Sequence, residues 1–201
     1  MTKNVSMILG VGPNGLIGRK DKLVWKSKED LNYFKAKTYM QPCIFGATTF
    51  YGLPKYPLVN RLNIVLDNSQ KEEITADNRG WITCNSFECA LLFCENYDEV
   101  YVCGGRSIYE YALKYNFITK IYLTRLYSKK LEELSKSKDE DLIYFDIDKY
   151  VHDWPVWNLS STQVFESNEE DPLFIKFELY EKKQESRVLI LVDNFVSTRS
   201  S

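Results

Sequence analysis

The chain has a single histidine, His152, and its five cysteines (Cys43, Cys84, Cys89, Cys94 and Cys103) never form a C-x-x-C pair. One histidine excludes His-based triads. It leaves a metal only carboxylate and thiolate ligands, which form no suitable grouping here. An odd number of scattered cysteines suits reduced thiols in a cytoplasmic protein rather than a disulfide frame. Neither sign of charge is in excess, since 26 Lys and Arg face 28 Asp and Glu. That balance gives no overall field for nucleic acid or an anionic membrane. No apolar run approaches the ~20 residues that span a bilayer. Met1-Thr-Lys-Asn4 leads into a strand-like segment rather than a signal peptide. No Gly-Lys-Ser/Thr follows a glycine-rich loop, which excludes a P-loop kinase.

What remains is a chain of 201 residues, 44% apolar and 14% aromatic, long enough for one domain with a sizeable core. Short apolar or alternating runs predict strands at Val5–Gly10, Cys43–Phe45, Arg61–Leu66, Trp81–Cys84, Val100–Cys103 and Ile121–Leu126. Helical patterns fall at Ser27–Thr38, Thr48–Leu53, Ser86–Tyr97 and Ser107–Lys114. Trp154–Phe165 and Leu173–Lys182 flank the polar turn Glu166–Asp171 and read as an antiparallel hairpin. The order implies a single-domain α/β fold with a mostly parallel sheet, flanking helices and an antiparallel edge. Lys129–Asp141 is a mixed charge run that reads as a solvated loop or frayed helix, and Val188–Val192 as an added edge strand or packing segment.

Gly10-Val-Gly12-Pro-Asn-Gly15 spells G-x-G-x-x-G after a strand, but no helix opens at the third glycine. The dinucleotide fingerprint needs that helix to receive a diphosphate, so the run reads as a mobile glycine-rich loop. Ser27-Lys-Glu-Asp30 has capping-box form, which would make Asp30 a capping carboxylate. Asp30 also shares a helix face with Leu31, Phe34 and Thr38, and an acid on an apolar stripe faces a pocket with a raised pKa. Both readings stand on the pattern alone. Gly46 and Gly104-Gly105 each end a strand and open a helix, pointing free amides at one cleft where anions bind.

Read in order, these pieces resemble the dihydrofolate reductase family over roughly Val5–Lys182. The matching residues are Leu16-Ile-Gly18, Trp25, Asp30 with Phe34 and Lys35, Pro42, Gly46-x-x-Thr49-Phe50, Pro57-Leu58-x-x-Arg61-x-Asn63, Gly104-Gly105-x-x-Ile108-Tyr109 and Tyr122-Leu-Thr124. The resemblance implies one domain over residues 1–183 and an extension, residues 184–201, of unassigned role. It implies that Asp30 grips the amino edge of a pterin, with Thr124 orienting its carboxylate and Trp25 on a loop that closes over the nicotinamide. Ile8, Phe34 and Leu58 would wall the substrate, and Arg61 would clamp its glutamate carboxylate, a bidentate task. The cofactor would lie along Gly10, Ile17, Gly18 and Leu23 and over Gly46, Ala47, Thr48 and Thr49. It would also touch Leu66, Asp67, Cys103, Gly104, Gly105, Arg106, Ser107, Ile108 and Tyr109. The implied reaction reduces dihydrofolate with NADPH, in a cytoplasmic monomer that binds no metal, nucleic acid or membrane.

The chain departs from the family at several positions. A basic residue usually follows the glycine at Gly46 and meets the cofactor 2′-phosphate, whereas Ala47 and Thr48 stand here. Asp67-Asn68 replace the usual Ser or Arg, Val24 replaces a proline, and Val59-Asn60 replace a proline–glycine pair. Asp67 suits a ribose hydroxyl of NADH, which makes NADH the second candidate, while Lys71 and Arg79 offer distant positive charge. Two other functions compete: a related pterin or aminopyrimidine reductase, and an inactive nucleotide-binding module of the same fold. Asp30 together with Arg61 favours a folate.

Overall fold

The computed structural model describes residues 4–20, 22–69, 74–76, 79–166 and 173–183. The centre of the hairpin turn and all of the 184–201 segment, including Val188–Val192, lie outside the described residues. In chain order the strands are β1 (Asn4–Val11), β2 (Leu16–Arg19), β3 (Pro42–Gly46), β4 (Leu62–Leu66), β5 (Ile74–Ala76), β6 (Ile82–Cys84), β7 (Glu99–Val102), β8 (Lys120–Tyr127), β9 (Leu142–Tyr144), β10 (Trp157–Glu166) and β11 (Phe174–Lys182). The helices are α1 (Lys28–Thr38), α2 (Ala47–Tyr51), α3 (Phe87–Leu92), α4 (Arg106–Lys114), α5 (Lys129–Ser135) and α6 (Asp148–Val151).

Nine strands form one sheet in the order β10-β11-β8-β1-β7-β3-β4-β6-β5, and β2 pairs with β9 apart from it. The run from β8 to β6 is parallel, while β10, β11 and β5 pair antiparallel at the edges. The α/β fold with a mostly parallel sheet and terminal hairpin is therefore as expected.

Alternation along the central strands splits the core in two. Val5, Met7 and Leu9 of β1, Ile44 of β3, Val100 and Val102 of β7 and Ile121 and Leu123 of β8 pack with α3 and α4. Their neighbours Ile8, Cys43, Phe45, Tyr101 and Tyr122 point the other way and pack with Phe50 of α2 and Phe34 of α1. Ile8 and Thr124 therefore lie on the α1 side, and Arg125 on the other.

Several elements depart from expectation. The glycine-rich run is not a free loop: Gly10 and Val11 stay in β1, a 3-10 turn forms at Pro13–Gly15, and β2 follows. Its partner β9 is more than a hundred residues away, beyond the reach of local pattern. The first half of the Lys129–Asp141 run is the helix α5. Ser128 caps it by accepting the Leu131 amide at 3.2 Å, and Leu131 is its buried foot. The expected helix to Tyr97 stops at Leu92, because stacked turns over 93–98 swing the chain into β7.

On the α3/α4 side, Arg125 is almost fully buried. Its Nε meets Glu178 Oε2 at 2.7 Å and its terminal nitrogens grip Asp148, while Lys176 Nζ reaches Glu178 Oε1 at 2.6 Å. Burial by itself raises the Glu178 pKa, but hydrogen bonds from Lys176 and Arg125 outweigh it and hold the carboxyl below its ordinary value. The resulting stabilisation is present above the unfolded-state glutamate pKa and is lost as pH falls through the folded one. Removing one member strands a buried charge, so Glu178→Ala should lower stability at neutral pH by about 3–5 kcal/mol. Urea unfolding at pH 7 and pH 4 should show that loss shrinking with acid. A loss under about 1 kcal/mol at pH 7, the range of an exposed pair, would contradict the network's role.

Candidate active site

Helix α1 begins where Ser27, in extended conformation, accepts the Asp30 amide on its hydroxyl at 3.1 Å. That is half of a capping box. The Asp30 carboxylate does not complete it: Oδ2 accepts the Trp25 indole N–H at 3.2 Å, and the Thr124 hydroxyl is its other hydrogen-bond partner. Trp25 is buried and lies on Gly10, where an added Cβ would come within 2.8 Å of Cζ2. Of the two readings of Asp30, the carboxylate turns inward rather than completing the cap. Burial raises its pKa above the usual 3.8, while the Trp25 and Thr124 bonds oppose that shift less strongly.

Asp30, Phe34 and Thr38 follow at steps of four, a row about 12 Å long at 1.5 Å per residue. At the far end Thr38 is fully buried. Its hydroxyl donates to the Phe34 carbonyl at 2.8 Å and accepts Arg61 Nε at 3.0 Å. Arg61 also donates to the Val59 carbonyl at 2.6 Å and the Lys35 carbonyl at 2.9 Å. These acceptors are neutral, so they aim the guanidinium without cancelling its charge. Buried Asn63 pins the approach, exchanging hydrogen bonds of 2.9 Å with both the amide and the carbonyl of Leu58. A groove of about 500 Å³ runs here between Leu31, Phe34, Lys35, Leu58, Val59 and Arg61.

A second feature lies where β3 and β7 end. The Gly46 amide donates to the Gly104 carbonyl at 2.6 Å, bringing the starts of α2 and α4 together. A Cβ on Gly105 would lie 2.7 Å from Thr49 Oγ1, and one on Gly46 would lie 3.2 Å from Ile108 Cγ1. Gly104 has φ +111°, and a side chain there would also press on the Tyr109 hydroxyl at 3.0 Å. That hydroxyl donates to the Ile8 carbonyl at 2.9 Å, tying α4 to β1. The first amides of α4 have no carbonyl ahead of them within the helix, and they present the positive dipole end to the cleft.

The family model described as dihydrofolate reductase matches residues 4–182. The chain belongs to the dihydrofolate reductase family. Among curated relatives, a dihydrofolate reductase of Bacillus subtilis is 28% identical over 185 residues, covering 91% of this chain and 97% of its own length. One from Buchnera aphidicola of Schizaphis graminum is 38% identical over 122 residues, covering 61% and 71%. Among solved structures, Enterococcus faecalis dihydrofolate reductase complexed with NADP(H) and RAB-propyl superposes with a TM-score of 0.72 at 23% identity, over 92% of this chain and 99% of that one. The likeness establishes a shared fold.

Within that family frame the expected positions gather into two groups. Gly10, Trp25, Asp30 and Thr124 gather at the start of α1, Ile8 and Phe34 share the core cluster on the α1 side of the sheet, and Phe34 also lines the groove with Leu58 and Arg61. Gly46, Ala47, Thr48 and Thr49 open α2, beside Cys103–Tyr109 at the start of α4. Leu66 is buried and pairs with Gly46 across the strands. The Cys103 thiol is kept protonated by burial and forms an apolar wall. Ile17 packs against the main core, Gly18 sits in β2 beneath the Lys22 carbonyl, and Leu23 is exposed.

Asp67 accepts the amide and hydroxyl of Ser69 at 3.0 and 2.6 Å, a local turn that occupies one carboxylate oxygen. Arg79 stacks 4.9 Å over Trp81, and Lys71 lies outside the described residues. Sequence reasoning assigned no role to Thr38, whose place eight residues after Asp30 on the same face was the available signal. It also missed the Tyr109–Ile8 bond, which no local pattern announces.

The raised Asp30 pKa gives a stability prediction. A carboxyl whose folded pKa exceeds its unfolded value destabilises the fold progressively as pH rises from the unfolded to the folded pKa. Asp30→Asn should therefore be at least as stable as wild type at pH 7, and its advantage should vanish in acid. Thermal unfolding across pH 3–7 measures this. A variant less stable at pH 7 but not at pH 3 would mean that ionised Asp30 supports the fold.

Proposed function

We propose that this chain is a dihydrofolate reductase acting on 7,8-dihydrofolate with NADPH, as a monomer independent of nucleic acid or membrane. One observation carries the reading: on one helix, a desolvated carboxylate stands two turns from the threonine that aims Arg61, which lacks an acidic partner among the described residues, and an apolar groove runs from Phe34 to that arginine. A ligand that fits must offer hydrogen-bond donors at one end, a flat apolar middle and a carboxylate at the other. Dihydrofolate has that layout.

Each residue then has a physical task. Asp30 accepts from the 2-amino group and N3 of the pterin through charge-assisted bonds. Its negative charge raises the proton affinity of N5, the atom that must be protonated as the C=N bond is reduced. Thr124 and Trp25 fix the carboxylate, and the Trp25 ring excludes water from the reacting face. Ile8, Phe34 and Leu58 enclose the rings, while Arg61, aimed by Thr38, receives the α-carboxylate.

The glycine junctions suit a dinucleotide, because side chains at Gly46, Gly104 or Gly105 would press on Ile108, Tyr109 or Thr49 and part the two helix starts that would hold it. Thr49, Ser107 and the first amides of α4 would hold phosphate, and Tyr109 and Ile8 would border the nicotinamide. When bound, NADPH supplies the hydride. Near the 2′-phosphate, Ala47 and Thr48 bring no positive charge and Arg79 is engaged with Trp81. Discrimination against NADH should therefore be weaker than is usual for the family.

Loss of absorbance at 340 nm with NADPH and dihydrofolate tests the reaction, and no turnover in folded protein would contradict it. NADPH should be preferred by less than about a thousandfold, roughly 4 kcal/mol. A larger ratio would reveal an unrecognised phosphate site, and a preference for NADH would reverse the cofactor assignment. Arg61→Ala should weaken dihydrofolate binding by about 2–4 kcal/mol while scarcely affecting a dihydropterin that lacks the glutamate. Equal losses would place Arg61 in the fold rather than the site.

A further inference from the structure

The near-zero total charge hides a division along the chain. Residues 1–66 carry ten basic and three acidic side chains, against sixteen and twenty-five in the remainder. The first third is therefore net +7 and the rest −9. That first third supplies both walls of the groove, since α1 and the 55–61 segment line it.

Some of this positive charge is neutralised. Arg19 pairs with Asp139 at 2.9 Å and Lys20 with Asp141 at 3.0 Å. Lys22, Lys26, Lys28, Lys35 and Lys55 are exposed, and none forms a salt bridge among the described residues. Lys35 and Lys55 line the groove beside Arg61. Lys28 precedes Leu31 and Lys35 by three and seven residues, so it extends their row toward the start of α1. Lys22 and Lys26 flank the loop that carries Leu23 and Trp25 from β2 to α1.

Lys28 is informative because its position works against the helix rather than for it. It is the first residue of α1, where the helix dipole disfavours a cation, and among the described residues no acid pairs with it. A charge that opposes the helix start and continues the row of two groove-lining residues is better explained by what approaches the groove.

We infer that Lys22, Lys26 and Lys28 extend the basic lining of the groove into a collar that steers anionic ligands into the site from a distance. The inference rests on the proposed reading for the identity of its ligand, dihydrofolate, which carries two carboxylates. The collar makes no lasting contact with bound substrate. It raises the association rate and thereby favours anionic folates over uncharged pterins. The acidic remainder of the surface strengthens the effect by repelling the same ligands elsewhere.

Ionic strength gives the direct test, since the screening length falls from about 30 Å at 10 mM salt to about 8 Å at 150 mM. The association rate constant is read from stopped-flow quenching of tryptophan fluorescence on mixing enzyme with dihydrofolate. It should fall about five- to tenfold between those salt concentrations. A Lys22→Gln, Lys26→Gln, Lys28→Gln triple variant should lose about threefold or more at 10 mM salt and flatten the salt dependence, with dissociation rate and saturated turnover unchanged. Lys28→Gln alone should move the same way by less, which covers any instability of the triple variant. An uncharged dihydropterin should respond to neither salt nor substitution. Salt-independent association of dihydrofolate, or variants that associate like wild type, would overturn the collar and leave the enzyme assignment standing. Failure of the wild type to bind or turn over dihydrofolate would instead overturn the assignment and the collar together.

Discussion

The contact between the Asp30 carboxylate and the Trp25 indole, backed by the Thr124 hydroxyl, is the constraint that the rest of the site depends on. It joins three elements: the loop after β2, the first turn of α1, and β8 in the middle of the sheet. Gly10 has no side chain because Trp25 occupies the space where one would be. Ser27 caps α1 through the Asp30 amide and so leaves the carboxylate free to turn inward. Once Asp30 is fixed, the helical repeat places Phe34 and Thr38, and Thr38 in turn aims Arg61. One buried acid thus begins the row that leads through Phe34 and Thr38 to Arg61.

The two-sided sheet separates duties that would otherwise interfere. Neighbours on β8 face opposite ways: Thr124 toward a carboxylate kept partly desolvated and ready to accept donors, Arg125 toward carboxylates that neutralise it. The first arrangement opposes stability at neutral pH, and the second supports it. Charge is divided on a larger scale as well. The first third of the chain, which supplies the walls of the groove, is basic and the remainder acidic, although the whole chain is nearly neutral.

Much of this was legible in the sequence because it is local or periodic. The strand–glycine–helix junctions at Gly46 and Gly104, the Ser27 cap and the 30–34–38 row each lie within a dozen residues and follow from the helix repeat or turn chemistry. The two readings of Asp30 could not be separated there, since capping and pocket roles need the same residue at the same position. Only the direction of its side chain decides between them. The β2–β9 pairing, the Arg125 network and the Tyr109–Ile8 bond were illegible for a different reason. Each joins segments far apart in the chain through a few polar atoms, and neither composition nor period records such a meeting. Total charge misled for a simpler reason, because it sums over two parts of the chain of opposite sign.

The central claim is that Asp30 is a desolvated carboxylate whose hydrogen bonds do not fully compensate for burial. Carbon-13 NMR titration of its side-chain carboxyl in the free protein tests that claim most directly. The account predicts a midpoint above the ordinary aspartate value of 3.8, with the Trp25 indole proton shifting in the same transition. A midpoint at or below 3.8, or an indole signal indifferent to it, would contradict the account.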